Sequence, residues 1–514
     1  MLRLRLVLLL LAATSLHAQD WPQLGRTPQH EGQVGVPGDR FDRIEAEIVV
    51  DPFTDLEREE AGDSLTIHYP VPLVDGNDLY LLEKGGFFTP GNSNTQTWSV
   101  KNVRWTPSGY TTRWKFATDW RPVPSQQPGG GPGFEPMFHP ALTADAVWAP
   151  GRGGTMLKIR RSDGTLVARF DPFGGAVAAA TTYTIAAPAI DAAGNVFYTV
   201  IQLNANNPYT SDPIGSWLVK IAADGTVYVV SRAHLNSRYG FLVAVNPDLT
   251  PKWSASLRNR FLDGCNVALP PNGQPGGCRI DAMTGVDPTD NLPGTGAVVD
   301  DSTSAPVALP DGNVLYGSYS RYNYSQGHLM KFSGAGAFLA AYGFGWDITP
   351  AVYRHDGTYS IVLKENRYNA STYCRPDVCL PRNLSAPNDP ESYYLTQLNP
   401  SLEREWQFKN TESKACERQA NGSVKCVTVT THGFEWCVNA VALDRDGVVY
   451  ANSEDGYLYA ILQGGALRQR LFLDTALGAA YTPLAIGGDG KIYTQNNGTV
   501  FVVGSSGRRR AAGR

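Results

Sequence analysis

The chain has 514 residues, 44 basic against 48 acidic, for a formal net charge of −4. That balance excludes nucleic acid as the partner, because phosphate neutralisation needs a clustered basic face. Beyond the first residues no stretch is apolar enough to span a bilayer.

Residues 1–18 read as a secretory signal. Arg3 and Arg5 precede a short apolar run, and Leu16-His17-Ala18 forms a cleavage site before Gln19. The mature protein is therefore expected to be periplasmic or secreted, with no transmembrane segment. At the other end, 505–514 includes "GRRRAAGR" and reads as a solvated basic tail.

Between these ends one phrase recurs: an apolar pair, a polar turn with Gly, and an aromatic-ended strand. It stands as "YPVPLVDGNDLY" (69–80), "APAIDAAGNVFY" (187–198), "APVALPDGNVLY" (305–316), "NAVALDRDGVVY" (439–450) and "TPLAIGGDGKIY" (482–493). Weaker starts stand at 139–148, 218–228 and 349–360. The 218 start follows the one at Pro188 too closely for two full four-stranded units. Uninterrupted repeats have room for four short strands plus turns, and a unit that cannot bury its own apolar face must stack on copies of itself. The expectation is an all-β propeller over 19–504, of seven or eight four-stranded antiparallel blades, with eight the better fit to the repeat count. The last repeat holds about three strands. The segment "DWPQLGRTPQHEGQVGV" after the cleavage site is expected to pack on it and supply the missing outer strand, since open edges invite aggregation. No helix is expected outside the signal.

Long Pro-, Gly- and Asn-rich insertions interrupt the repeats at 87–97, 123–136, 202–215, 265–302 and 369–392. Loops on a rigid sheet array are where binding residues concentrate. The seven cysteines of an exported chain suggest disulfides, paired by proximity as Cys265 with Cys278, Cys374 with Cys379 and Cys416 with Cys426, leaving Cys437 single. The last of the three pairs would face across a hairpin whose loop, Ala420-Asn421-Gly422, places Gly422 in the left-handed region.

Three clusters carry possible chemistry. In "THGFEWCVNAVA" (431–442), His432 and Glu435 suit an acid/base pair and Trp436 a stacking wall. In 344–369, Trp346 is a binding candidate, and strand alternation sends Lys364 and Asn366 to one face, Glu365 and Arg367 to the other. In 318–332, Tyr322 and His328 stand among tyrosines and Arg321. Asp287, Asp290, Asp300 and Asp301 are oxygen ligands without the spacing of a calcium loop. In each cluster packing or surface pairing is the competing reading.

The repeats resemble the pyrroloquinoline-quinone-type repeat, with "DRDGVVYANSEDGYLYAI" the best match. The opening "WPQLGRTPQHEG" resembles the start of many members. The family's tryptophan docking pattern is approximated at Ala244–Trp253 and Gln397–Trp406, with Asn246 and Asn399 in place of Asp. The resemblance implies a propeller shared by quinoprotein alcohol dehydrogenases and by a non-catalytic lipoprotein of outer-membrane assembly. The enzymes show adjacent cysteines beside the quinone and hold calcium with a carboxylate and an Asn. No two of the seven cysteines here are neighbours, and no motif carries that calcium set. The reading is thus a scaffold binding a protein or carbohydrate in the envelope or outside the cell, with no cofactor expected. A PQQ-dependent oxidoreductase is the alternative, and a hydrolase or lyase using His432 and Glu435 a weaker one.

Overall fold

The computed structural model describes residues 20–61, 69–88, 96–106, 108–123, 138–184, 186–205, 213–221, 227–232, 240–256, 304–319, 327–342, 348–367, 391–419, 421–477 and 482–505. After Arg43–Val49 (β1), the chain forms successive up-and-down sheets. The first is Leu73–Asp75, Asp78–Gly85, Thr97–Thr106 and Gly109–Ala117 (β2–β5). The second is Ala141–Leu142, Ala146–Pro150, Met156–Arg160 and Leu166–Phe170 (β6–β9). In the third, Thr182–Thr184 and Ala189–Ile190 (β10, β11) follow one another along one edge of Val196–Gln202 (β12), and Gly215–Ile221 (β13) lies on the other. Val227–Arg232, Gly240–Val245 and Pro251–Ser256 (β14–β16) make a three-stranded sheet.

Four-stranded sheets resume with Val307–Ala308, Val314–Tyr319, Gly327–Phe332 and Phe338–Tyr342 (β17–β20). The next is Ala351–His355, Thr358–Arg367, Ser392–Leu398 and Arg404–Lys409 (β21–β24). A hairpin, Lys414–Arg418 and Val424–Thr428 (β25, β26), precedes Ala442–Leu443, Val449–Asn452, Tyr457–Ile461 and Leu467–Phe472 (β27–β30). The chain ends with Ala485–Ile486, Ile492–Asn496 and Thr499–Gly504 (β31–β33).

Seven four-stranded antiparallel blades thus take the propeller arrangement. The 218–228 string opens no blade: β13 is the third strand of its sheet, and β14 begins the three-stranded one. Five of the blades pack the tyrosine that ends the repeat phrase, on their second strand, into the core, where Tyr80, Tyr198, Tyr316, Tyr450 and Tyr493 are all fully buried. Burial of that size stabilises by roughly 1.5–3 kcal/mol per large side chain.

Of the two docking tryptophans the resemblance implied, Trp253 ties its sheet to the next, as Trp114 also does, whereas the buried indole N–H of Trp406 has no partner among the described residues. The Trp114 indole donates to the Arg161 carbonyl at 2.9 Å, and Trp253 to Gly334 at 2.9 Å. Gly164 and Gly336 sit against those rings with φ of 75° and 86°, and a Cβ on either would lie 2.7 Å from ring carbon. Asn399, standing where the pattern has Asp, still caps its turn by accepting from the Ser401 and Glu403 amides.

Two expectations are corrected. The strand that closes the last blade is β1, paired antiparallel to β33 over Arg43–Gly504 to Val49–Thr499, rather than the segment starting at Asp20. A seven-residue helix, Thr54–Glu60 (α1), follows it. It is too short to announce itself by periodicity, and buried Glu57 anchors it to Lys84 of β3 at 2.6 Å.

Candidate functional site

The two ends of the propeller differ. Along one end run the turns from first to second strands (76–77, 143–145, 191–195, 309–313, 356–357, 444–448, 487–491), those from third to fourth (161–165, 333–337, 399–403, 462–466) and the β15–β16 turn of the three-stranded sheet (246–250). The other end receives every long connection: 86–96, 118–140, 203–214, 257–306, 368–391 and 410–441 all leave and return there. In an up-and-down sheet alternate connections must fall on opposite ends, so the strand ends that flank the expected insertions lie at one end.

The short-turn end is sealed. The first strands β2, β6, β11, β17, β21, β27 and β31 line the axis, with β2 beside β31, β31 beside β27, and β27 beside β21. Among the described residues their inward edges have no partner in a named strand, so their amides need other acceptors. Residues 20–39 supply them in turn around the ring. Val74 N donates to Trp21 O (3.0 Å), Leu142 N to Pro22 O (2.8 Å), Ala308 N to Gln29 O (3.2 Å), Val352 N to Glu31 O (2.7 Å) and Leu443 N to Gly32 O (2.8 Å). The Gln23 side chain serves Ile190, accepting at 2.7 Å and donating at 3.0 Å. His30 Nδ1 lies 2.9 Å from the Pro306 carbonyl, which fixes the proton on that nitrogen. Trp21, Leu24 and Val34 are buried beneath this strap. The segment expected on the last blade therefore spans all but one of the first strands. No periodicity marks an irregular strap, so sequence could not place it.

At the long-connection end, a cluster of described polar residues lies between the blades of β21–β24 and β27–β30. His432 Nε2 pairs with Glu391 Oε2 at 2.9 Å, and its ring meets Tyr393 edge-on at 5.9 Å. The Tyr393 hydroxyl donates to the same Glu391 oxygen at 3.3 Å. Burial, then Glu435, Glu391 and Glu454, push the Tyr393 phenol far up, so it stays a neutral donor. Burial likewise drives the free Cys437 thiol well up, with Glu454 and Glu435 adding to it and Lys364 opposing. A thiol held protonated in this way is inert as a nucleophile.

Lys364 and Asn366 do share a face. Asn366 clasps the Trp436 main chain, accepting from its N–H at 3.2 Å and donating to its carbonyl at 3.4 Å, and Lys364 is buried. On the opposite face Glu365, fully buried, accepts from Tyr342 (2.7 Å), Thr396 (2.9 Å), Gln407 (2.8 Å) and Arg367 (2.7 Å). This is a satisfied internal network rather than a surface pair. Trp436 has no exposed surface and packs on Tyr459 (5.1 Å) and Phe408 (6.0 Å), so its position is that of a core residue. The Glu435 carbonyl accepts from Ser453 Oγ and Glu454 N. The structure thus joins His432 to Glu391 and Tyr393. Sequence reading missed those two because they stand at the start of β23, in a different sheet from the segment that carries His432. Tyr322, Trp346, Cys265, Cys278, Cys374, Cys379, Asp287, Asp290, Asp300 and Asp301 lie outside the described residues, and His328 is placed only by its backbone, opposite Ser318.

Beside this cluster Asp455 is fully buried and accepts from Asn410 Nδ2 (3.0 Å), the Tyr457 amide (3.0 Å) and the Tyr459 hydroxyl. Burial raises its carboxyl to about 6. Because the folded value lies above the unfolded one, the folded state binds the extra proton between about pH 4 and 6. Stability contributed by Asp455 therefore rises as pH falls through that window. Denaturant midpoints at pH 4.5 and 7 should show this gain in the native protein and its loss in Asp455→Asn. An unchanged difference would mean the carboxyl titrates normally.

No protein-family model and no curated relative matches the sequence. Among solved structures, the quinohemoprotein alcohol dehydrogenase from Comamonas testosteroni superposes with a TM-score of 0.51 at 12% identity, over 98% of this chain and 83% of that one. The fold is the PQQ-type β-propeller. A europium-containing methanol dehydrogenase gives 0.44 at 10% identity (93% and 89% covered). BamB from Moraxella catarrhalis gives 0.30 at 12% (72% and 96%). As for the quinone and metal of such enzymes, the described residues include no group of three His, Cys, Asp or Glu side chains placed to hold a metal ion. The cysteines include no adjacent pair.

Proposed function

We propose that this PQQ-type propeller is an exported binding scaffold, holding a protein or carbohydrate ligand on the face that carries its long connections. The observation that carries the reading is the division of labour between the two ends: short turns and a sealed mouth on one, every long connection on the other. A closed sheet array makes a rigid base, and long connections that leave it at one end supply residues able to wrap a ligand. The disulfide Cys416–Cys426 in the hairpin on that face supports an oxidising compartment.

Photocrosslinking in the envelope fraction tests this. A photoreactive residue at Thr430, on the long-connection face, should capture a defined partner or glycan, and one at Ala193, in a short turn, should not. Equal capture from both, or none from either, defeats the reading. Quinone-dependent alcohol oxidation is the competing reading, with the fold alone in its favour. Dye reduction with alcohols after reconstitution with PQQ and calcium would replace the binding reading with it.

A further inference from the structure

The hairpin β25–β26 forms a sheet of its own, tied to the end of β30 by Arg418, which donates to the Phe472 and Leu473 carbonyls. Cys416 and Cys426 face each other in register and form its disulfide. Gly422 (φ 82°) turns the loop as its left-handed position requires. β25 is partly buried, with Ala415 and Cys416 inside, whereas every residue of β26 is exposed. Val424, Val427 and Val429 show 45%, 50% and 48% of their surface.

The direction of the β26 backbone groups follows from its register. Val429 N donates to Ser413 O, and Gln419 N to Ser423 O. Pairs alternate in an antiparallel ladder, so Val427 and Lys425 bond inward to Ala415 and Glu417. Val424, Cys426 and Thr428 then turn their N–H and C=O groups away from β25. Among the described residues β26 has no strand on that side. A run of β-branched residues with donors and acceptors at every second position is complementary to one chemical class only, an extended polypeptide backbone.

Charge decides between a second copy and another chain. Two β26 strands pairing antiparallel about Cys426 would set Lys425 opposite Val427 and diagonal to the other Lys425, roughly 7–8 Å away, where like charges repel. A foreign strand with a carboxylate opposite Lys425 gains instead.

We propose that β26 is a docking edge for an extended segment of a partner polypeptide, which adds as a third strand with an acidic residue opposite Lys425. The proposal rests on the binding reading above and names its partner class.

The test pans a displayed library of linear peptides on the full chain and measures a synthetic selected peptide by fluorescence anisotropy. Thr428→Pro removes one outward N–H and leaves the inward ladder of Lys425, Val427 and Val429 intact. It should weaken binding about tenfold or more, near 1.4 kcal/mol. Lys425→Glu should weaken it similarly and be rescued by a peptide whose acidic residue is changed to Lys. Hydrogen exchange of the Val424, Cys426 and Thr428 amides should slow on binding. Retained disulfide and unchanged circular dichroism verify that Thr428→Pro is folded. The proposal is overturned if no peptide binds, if binding ignores Thr428→Pro, or if sedimentation shows dimers abolished by that substitution. Peptides that bind elsewhere on the long-connection face would leave the broader scaffold reading standing and remove only this one.

Discussion

The protein truncated to begin at Pro37 should lose cooperative folding. Residues 20–36 satisfy the inward amides of six first strands and bury Trp21, Leu24 and Val34 over the axis. Each backbone bond contributes about 0.5–1.5 kcal/mol net, and an orphaned buried amide costs about 1–3 kcal/mol. Removing a buried Trp costs about 3–5 kcal/mol on its own. Together these approach the whole ~5–15 kcal/mol that holds a domain folded. Thermal melts followed by circular dichroism should show a broad, low transition, and the peptide Asp20–Val36 added in trans should sharpen and raise it. Trp21→Ala in the full chain is the milder form, expected to lower stability by about 3–5 kcal/mol. A truncated protein that melts like the intact one would show that the strap is ornamental. The first strands would then satisfy their inward edges some other way.

Lys84→Met should destabilise by about 3–5 kcal/mol, the cost of leaving buried charge without its partner. The Lys84 ammonium is fully enclosed, 2.7 Å from Asp51 and 2.6 Å from Glu57, and Glu57 also accepts from the Phe88 amide at 2.6 Å. Asp51 and Glu57 flank the start of α1, directly after the closing strand β1, so the charge cluster pins the ring's seam to the first blade. Burial already raises the Glu57 carboxyl, and Lys84 is the main influence lowering it. Without the lysine its folded value must climb further. The folded state then gains a proton as pH falls, so part of the loss should be recovered in Lys84→Met between pH 7 and 5. Urea midpoints across that range measure it. A loss below 1 kcal/mol, or one independent of pH, would indicate that water reaches the cluster and screens it.

Legibility differed sharply between backbone pattern and polar contact. Period-two alternation and the Gly turns gave the blades, because a strand's two faces must be written into every second residue. The same alternation assigned Lys364 and Asn366 against Glu365 and Arg367, and the hairpin with Gly422 and its cysteines was readable because a tight turn imposes local rules. His432 was visible as a polar residue in an aromatic stretch, but its partners Glu391 and Tyr393 were not. Their approach depends on how two blades meet, which no local rule encodes. Trp436 shows the converse: its type suggested a ligand wall, and its packing against Tyr459 made it core.

The amino-acid order alone therefore determined a repeating all-β unit, its need to close on itself, and the places where long insertions interrupt it, since hydrophobic periodicity and turn chemistry act within a few residues. Only the tertiary structure decided that Arg43–Val49 closes the ring, that residues 20–39 cap its axis, and that the strand ends flanking the insertions lie at one end. Those outcomes depend on which unpaired strand edges come within reach of one another, and that is a property of the assembled ring.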